Sequence, residues 1–344
     1  MIDLINKLEK EQSLTLAEYE FLIENRNEET AEILAEKAVK KRKEVYGNDV
    51  YIRGLIEISN ICKNDCRYCG IRRGNKNCER YRLTKEQILS CCDEGYPLGY
   101  RTFVLQGGED DYFTDEVLCD LIQQIKFNNP GCAVTLSLGE RGLASFKKLY
   151  EAGADRYLLR HETADMNHYS KLHPRGSFAN RVMSHGYLKR TGYQTGCGFM
   201  VGSPYQKPEH IALDLLYIGR LKPEMCGIGP FIPHHDTRFA GFEPGSVELT
   251  CYLLSIIRLI CPKVLLPATT ALATLDKQGR EKGILAGANV IMPNLSPVSA
   301  RDKYDLYDGK LSSGTEAAEN IRTIKNSMKK IGYRVVVSRG DAKQ

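Results

Sequence analysis

Three cysteines within eight residues offer the most distinctive chemistry in this chain. Residues 62 to 69 read Cys62-Lys63-Asn64-Asp65-Cys66-Arg67-Tyr68-Cys69, a C-x3-C-x2-C pattern with an aromatic before the last cysteine. Three thiolates in one loop can hold three irons of a [4Fe–4S] cube, whereas a fully ligated cube takes four. The missing fourth ligand leaves one iron open to chelate a small molecule. A zinc knuckle or three buried free thiols are the alternatives. Zinc motifs favour paired C-x2-C units totalling four ligands, and no second pair lies nearby.

This spacing, placed after a strand pattern, resembles the radical S-adenosylmethionine (SAM) superfamily. The resemblance implies that SAM binds the open iron by its amino and carboxylate groups. It also implies that electron transfer to the sulfonium releases a 5′-deoxyadenosyl radical. Cys62, Cys66 and Cys69 would be the only cluster ligands. The other nine of the twelve cysteines would be bystanders, since thiols are often buried as small hydrophobes.

A loop of this kind needs a scaffold. The chain has 344 residues, 42% hydrophobic and 26% charged, which is ordinary globular composition. Its net charge of +5 is spread over both halves and does not argue for nucleic acid. The N-terminus does not read as a signal peptide. The longest apolar stretch, 251–266, is interrupted by Arg258, Pro262 and Lys263, so no membrane span is expected. Reduced cysteines in a cytoplasmic, oxygen-poor setting fit this usage. Residues 1–46 read as an N-terminal helical extension packed as a lid on the remainder of the chain, with Lys40 to Lys43 as a solvated helix end. Residues 47–344 read as one barrel domain with a C-terminal helix.

From Val50 onward, strand and helix patterns alternate. Strands are expected at 50–58, 101–106, 132–138, 155–160, 194–201, 225–230, 263–268 and 288–292. Helices are expected at 84–97, 114–127, 142–152, 177–190, 207–220, 246–260, 278–286 and 314–331. Eight such units favour an α/β fold closed as a (β/α)8 TIM barrel. The cysteine loop comes after the first strand, at the C-terminal rim where barrel active sites sit.

Strand alternation sorts the barrel's faces. Val50, Ile52, Ile56 and Ile58 share one face of the first strand, and Val134, Leu136 and Leu138 share one face of the third. Apolar faces pack on the outer helices. That sends Arg53, Glu57, Thr135 and Ser137 inward, together with Arg156, Leu158, Arg160 and Glu162 of the fourth strand. Buried charge is too costly to be filler, so the lumen is expected to be hollow, polar and ligand-filled.

More motifs lie at the strand ends. Gln106-Gly107-Gly108-Glu109-Asp110 comes after strand two, where glycines let backbone approach a ligand. Glu162 can accept from a hydroxyl or ammonium group, and Arg181 can clamp a carboxylate. Pro233-His234-His235-Asp236-Thr237 could bind metal but reads more readily as loop capping. His168, His173, His185 and His210 read as surface residues.

In combination, several segments are similar to the HydE family of [FeFe]-hydrogenase maturases, over roughly residues 45 to 310. They are the cysteine loop with Arg80-Tyr81-Arg82, residues 135–140, 155–163, 229–234 and 267–271, and Gly287 to Asn294. The resemblance implies SAM contacts from Tyr68, Gln106, Gly107, Gly108, Ser137, Glu162 and Arg181. It implies a substrate cavity lined by Arg53, Glu57, Thr135, Arg156, Arg160, Thr269, Thr270, Met292, Tyr304 and Tyr307. The substrate would be an iron–cysteine complex carrying carbonyl and cyanide. The electron would come from a low-potential donor such as a ferredoxin or flavodoxin, and other hydrogenase maturases are candidate partners. Some family members carry a second cysteine set near the C-terminus; here Cys261 is the last cysteine, so no accessory cluster is expected there. Methylornithine-synthase-like or biotin-synthase-like enzymes, and a non-catalytic iron–sulfur carrier, are the rival readings.

Overall fold

The computed structural model describes residues 1–312 and 317–343. Three helices come first, α1 (Ile2–Glu11), α2 (Leu16–Glu24) and α3 (Glu28–Tyr46). The chain then alternates through β1 (Asp49–Ile52), β2 (Gly54–Ser59), α4 (Lys85–Gly95), β3 (Thr102–Gly107), α5 (Asp115–Asn128), β4 (Ala133–Ser137), α6 (Leu143–Glu151) and β5 (Arg156–Leu158). Next come α7 (Met166–Leu172), α8 (Phe178–Thr191), β6 (Gln194–Cys197), β7 (Met200–Val201), α9 (Pro208–Leu221), β8 (Met225–Cys226), β9 (Gly229–Pro230) and α10 (Val247–Ile260). The last elements are α11 (Thr270–Leu275), α12 (Gly279–Leu285), β10 (Val290–Ile291), α13 (Val298–Arg301), α14 (Ile321–Lys330) and β11 (Arg334–Val336). Helix starts are set locally. Thr84 and Gln87 form a capping box at α4, and Thr114, Ser177 and Ser246 cap α5, α8 and α10.

The strands close into a ring. β2-β3-β4-β5-β6-β8 form one parallel sheet. Single bridges continue it from Met225 to Leu265 and from Pro267 to Val290. β10 then pairs with β1, and Leu55 with Asn294. The expected (β/α)8 barrel is therefore complete. Its seventh position, expected as a strand over 263–268, is held by bridges alone. Arg258, fully buried, braces that segment by donating to the carbonyls of Pro262, Val264 and Gly287. The first strand is broken at Arg53, so that β1 also carries β11 on its other edge. Helices α7, α11 and α13 were not expected. They run only 7, 6 and 4 residues, too short for an apolar period to register. Of the helix expected at 314–331, residues 314–316 lie outside the described residues and α14 begins at Ile321.

Two expectations about the N-terminal helices need correction. They pack against outer helices, α2 on α9 and both α1 and α3 on α10, so they brace the barrel's flank instead of covering its mouth as a lid. Arg42 is not a solvated charge. It is fully buried and donates to the carbonyls of Ala288, Gly47 and Asp49, tying α3 to the start of the barrel.

The lumen is layered. Val50, Ile52, Ile56, Ile58, Val134, Leu136 and Leu138 face the outer helices within one large apolar core, as alternation predicts. Inside, Tyr51, Met225, Leu265 and Val290 form a packed apolar floor, with Leu158 and Met292 against it. The lumen is thus not polar throughout. Strand register sets polar residues above that floor, with Glu57 beside Gln106 and Gln106 beside Ser137. Beneath the floor the C-terminal tail crosses the barrel's lower end. The Arg339 carbonyl accepts from Thr102 and Arg156, and Asp341 pairs with Arg156 at 2.5 Å.

Candidate active site

The cysteine loop leaves β2 at Ser59 and is held from several sides. Arg80 donates to four backbone carbonyls, those of Asn60, Ile71, Arg72 and Asn75. Asn60, fully buried, donates to the carbonyls of Glu79 and Lys303 and accepts from the Tyr81 N–H. Gly70 has no room for a side chain, since a Cβ there would lie 2.2 Å from the Asp305 carbonyl and 2.3 Å from the His234 ring. This packing leaves Cys62, Cys66 and Cys69 half-buried and free. Burial, with the neighbouring thiols adding to it, pushes the Cys66 thiol up to about 12 and Cys69 well above the ordinary range. Ionising the three thiols together would take a nearby cation, and iron bound to them would supply it. Cys78, outside the motif, is held by Asn60 Nδ2 at 3.5 Å. The donor set therefore fits three irons of a cube with one left open.

One cavity of about 490 Å³ opens beside this loop, lined by Cys66, Glu109, Glu140, Tyr169, His173 and Arg181 among others. Gly108 closes against the loop so tightly that a Cβ would lie 2.2 Å from the Ile61 carbonyl. Cys62 Sγ accepts from the Glu109 N–H at 3.4 Å. Arg181 is buried, donating from Nε to Glu140 at 2.6 Å and from Nη1 to the Arg160 carbonyl. Tyr68 packs with Leu172 and Phe239 and meets His173 edge-on at 5.4 Å. Glu162 sits at φ +65, rare for a side-chain-bearing residue. Asp214, on α9, pins that bend by accepting from the Ala164 N–H at 2.5 Å and facing His161 Nε2 at 3.2 Å. Strain maintained in this way is common at functional sites.

The lumen residues divide. Glu57, fully buried, meets Lys310 at 2.7 Å and Asn294 at 2.9 Å. Burial raises its carboxyl against the opposing pull of Lys310. Arg160 Nη2 lies 3.0 Å from Glu162. Arg53 has no carboxylate partner among the described residues; two of its nitrogens make no hydrogen bond and Nη1 lies 3.0 Å from Met225 Sδ. Thr135 and Thr269 each present a buried, unpartnered hydroxyl. Tyr304 is buried and Tyr307 half-buried on the loop that delivers Lys310. Thr270 opens α11 beside Thr269, and Met292 lies at the edge of the floor.

Arg156 departs from its expected role beside Arg160. It is in register with Thr135 and Gln194, and its guanidinium is consumed by Gln194, Thr102, Arg339 and Asp341. Four residues at about 3.3 Å each also set it about 13 Å below Arg160. His168, His173 and His185 are buried, not on the surface. His185 donates to the Leu159 carbonyl, and His168 to that of Pro204. His234 Nδ1 accepts from the Asp236 N–H and Nε2 faces Asp305. His234 Nδ1 is thus spent on capping the turn, while potential ligand atoms of His234, His235 and Asp236 lie within 4.8 Å of one another. Sequence reasoning missed Lys310, Glu140 and Asp214. Glu140 alone carried a signal, as the acid directly after the third strand's glycine.

Comparison with known proteins gives the family. Residues 56–217 match the radical SAM superfamily. The chain is 46% identical over 280 residues to the [FeFe] hydrogenase maturase subunit HydE of Thermotoga maritima, covering 81% of this chain and 80% of that protein. It belongs to the HydE family of radical SAM enzymes. It is also 30% identical over 312 residues to 3-methylornithine synthase of Methanosarcina acetivorans, covering 90% of this chain and 86% of that one. A crystal structure of methylornithine synthase superposes with a TM-score of 0.85 at 28% identity, covering 97% of both chains. The family implies a [4Fe–4S] cluster and SAM. Among the described residues no helix is long and apolar enough to cross a membrane.

Proposed function

We propose that Cys62, Cys66 and Cys69 hold one [4Fe–4S] cluster and that SAM lies across the adjoining cavity. The observation that carries this reading is the half-buried trio of thiols, with Cys66 on the same cavity wall as the buried Arg181. Arg181, oriented by Glu140, takes the SAM carboxylate. The Gly107–Gly108 turn receives its amino group, and Glu162 its ribose, with Tyr68, Gln106 and Ser137 alongside. With cluster and SAM bound, the site supplies a 5′-deoxyadenosyl radical.

The substrate proposed is an iron–cysteine complex bearing carbonyl and cyanide, on the way to the [FeFe]-hydrogenase active-site cluster, in concert with other maturases. The 46% identity to the Thermotoga maritima maturase supports this over the mutase reading, which rests on 30%. An anionic complex also suits the free hydroxyls of Thr135 and Thr269, with Arg53 set against Met225 of the floor. Arg160, Thr270, Met292, Tyr304 and Tyr307 complete the proposed wall. Lys310 and Glu57 neutralise one another there.

Electron paramagnetic resonance of the anaerobically reconstituted, reduced protein tests the first part. A [4Fe–4S] signal that changes when SAM is added is expected. Stoichiometric zinc with no such signal would defeat it. Hydrogenase maturation by Arg160→Met tests the second. Cluster and SAM binding should survive while maturation is lost. Normal maturation by that variant removes the lumen role, and formation of 3-methylornithine would select the mutase.

A further inference from the structure

The outer side of the cysteine loop carries a group of arginines, of which only Arg175 also borders the cavity proposed for SAM. A polar hollow of about 260 Å³ is lined by Asp65, Arg67, Arg72, Pro174, Arg175 and Arg238. Its one carboxylate is already committed, because Asp65 pairs with Arg72 at 2.9 Å. Arg67, Arg175 and Arg238 make no ion pair among the described residues, and Arg67 Nε is buried without a hydrogen-bond partner. Arg67 itself stands between Cys66 and Cys69, one residue from a thiol.

An aromatic platform adjoins this charge. Tyr205 is 52% exposed and Phe242 36%, and both rings contact Phe239, the residue after Arg238. The Lys171 ammonium lies 5.1 Å from the Tyr205 ring centre. The platform continues inward, since Phe239 and Leu172 pack with Tyr68 of the cysteine loop. The Leu172 carbonyl also accepts from the Arg67 N–H at 3.0 Å. The surface is therefore a cationic rim around exposed aromatics, backed directly by the loop.

We propose that this surface docks an acidic one-electron carrier protein, which is oxidised by one electron as the cluster is reduced by one. The inference rests on the assignment of the cluster to Cys62, Cys66 and Cys69. Uncompensated arginines steer an acidic partner and set its orientation, and aromatic and arginine side chains are the residues that anchor protein interfaces. A compact patch with an aromatic centre suits a protein better than an extended polyanion.

Reduced flavodoxin is the probe. Cluster bleaching is followed anaerobically in the wild type, in Arg238→Glu and in Lys171→Glu/Arg238→Glu, at low salt and at about 0.5 M salt. The expected loss of rate at low salt is about tenfold for the single variant and about a hundredfold for the double, with the wild-type rate falling as salt rises. Photoreduced 5-deazariboflavin, a small uncharged reductant, should bleach all three proteins equally. Calorimetric titration with oxidised flavodoxin should rank the three in the same order. Wild-type rates and affinities in the double variant overturn the proposal, as does flavodoxin binding that is insensitive to salt. Displacement of flavodoxin by a single-stranded oligonucleotide of higher affinity also overturns it. Failure of the wild type to bleach with deazariboflavin overturns the cluster reading, and this inference falls with it.

Discussion

At the scale of single residues, the site separates groups that carry chemistry from groups that only pack. Replacing Cys62, Cys66 or Cys69 by Ser should abolish the cluster. Cys78→Ser and Cys91→Ser should retain it, because Cys78 rests on Asn60 and Cys91 is buried within α4. Iron content and visible absorbance after reconstitution check this, and a cluster-free Cys78→Ser would show the ligand set to be misassigned. Arg181→Ala should weaken SAM binding by about 1.5–3 kcal/mol, the range for a charge-assisted hydrogen bond. Equilibrium binding measures it. Unchanged affinity would mean that Arg181 serves only to hold Glu140 and the Arg160 carbonyl.

At the scale of elements, the C-terminal tail is a structural plug. Asp341 bridges to Arg156 of β5 and Gln194 of β6. Burial alone would raise its carboxyl, yet the Arg156 charge and hydrogen bonds from Arg339 and Gln194 pull it down to about 2. Asp341→Asn leaves the fully buried Arg156 short of its counter-charge. Breaking a buried pair costs about 3–5 kcal/mol. Asp341 keeps 39% of its side-chain surface exposed, so solvent screening reduces the expected loss to about 1–2 kcal/mol. Urea unfolding of the apoprotein measures it. The pair's contribution should be present above the ordinary carboxylate value near pH 3.8 and fade as pH falls through about 2. A variant as stable as the wild type would reduce the tail to surface decoration.

At the scale of the whole molecule, burial of histidine behind the fourth and fifth strands sets acid sensitivity. Burial holds both His161 and His185 down to about 3, so each is neutral in the native state. In the unfolded chain they charge near the ordinary 6.5. The unfolded state therefore binds more protons as pH falls below that value. Stability should be full above about pH 6.5 and decline toward pH 3, by up to about 1.4 kcal/mol per pH unit for each histidine. Denaturation midpoints across that range check it. His185→Gln, which can still bond the Leu159 carbonyl, should flatten the slope; an unchanged slope would refute the assignment.

The amino-acid sequence by itself determined what depends on near neighbours. The cysteine spacing, the helix starts expected near residues 84, 114, 177 and 246, and the alternation that turns Ile56 outward and Glu57 inward are all local patterns. Repetition of one local unit eight times was enough to indicate the barrel. Only the tertiary structure decided which inward charges are already satisfied. Arg156 and Arg160 look equivalent on one strand face, but Arg156 meets Asp341, 185 positions along the chain. Lys310 reaches Glu57, and Glu140 orients Arg181 across 41 positions. The histidines went astray for the same reason, since their burial depends on which helices close over them. Ion pairing and burial act through space, and pairs so distant in sequence leave no periodic trace in it.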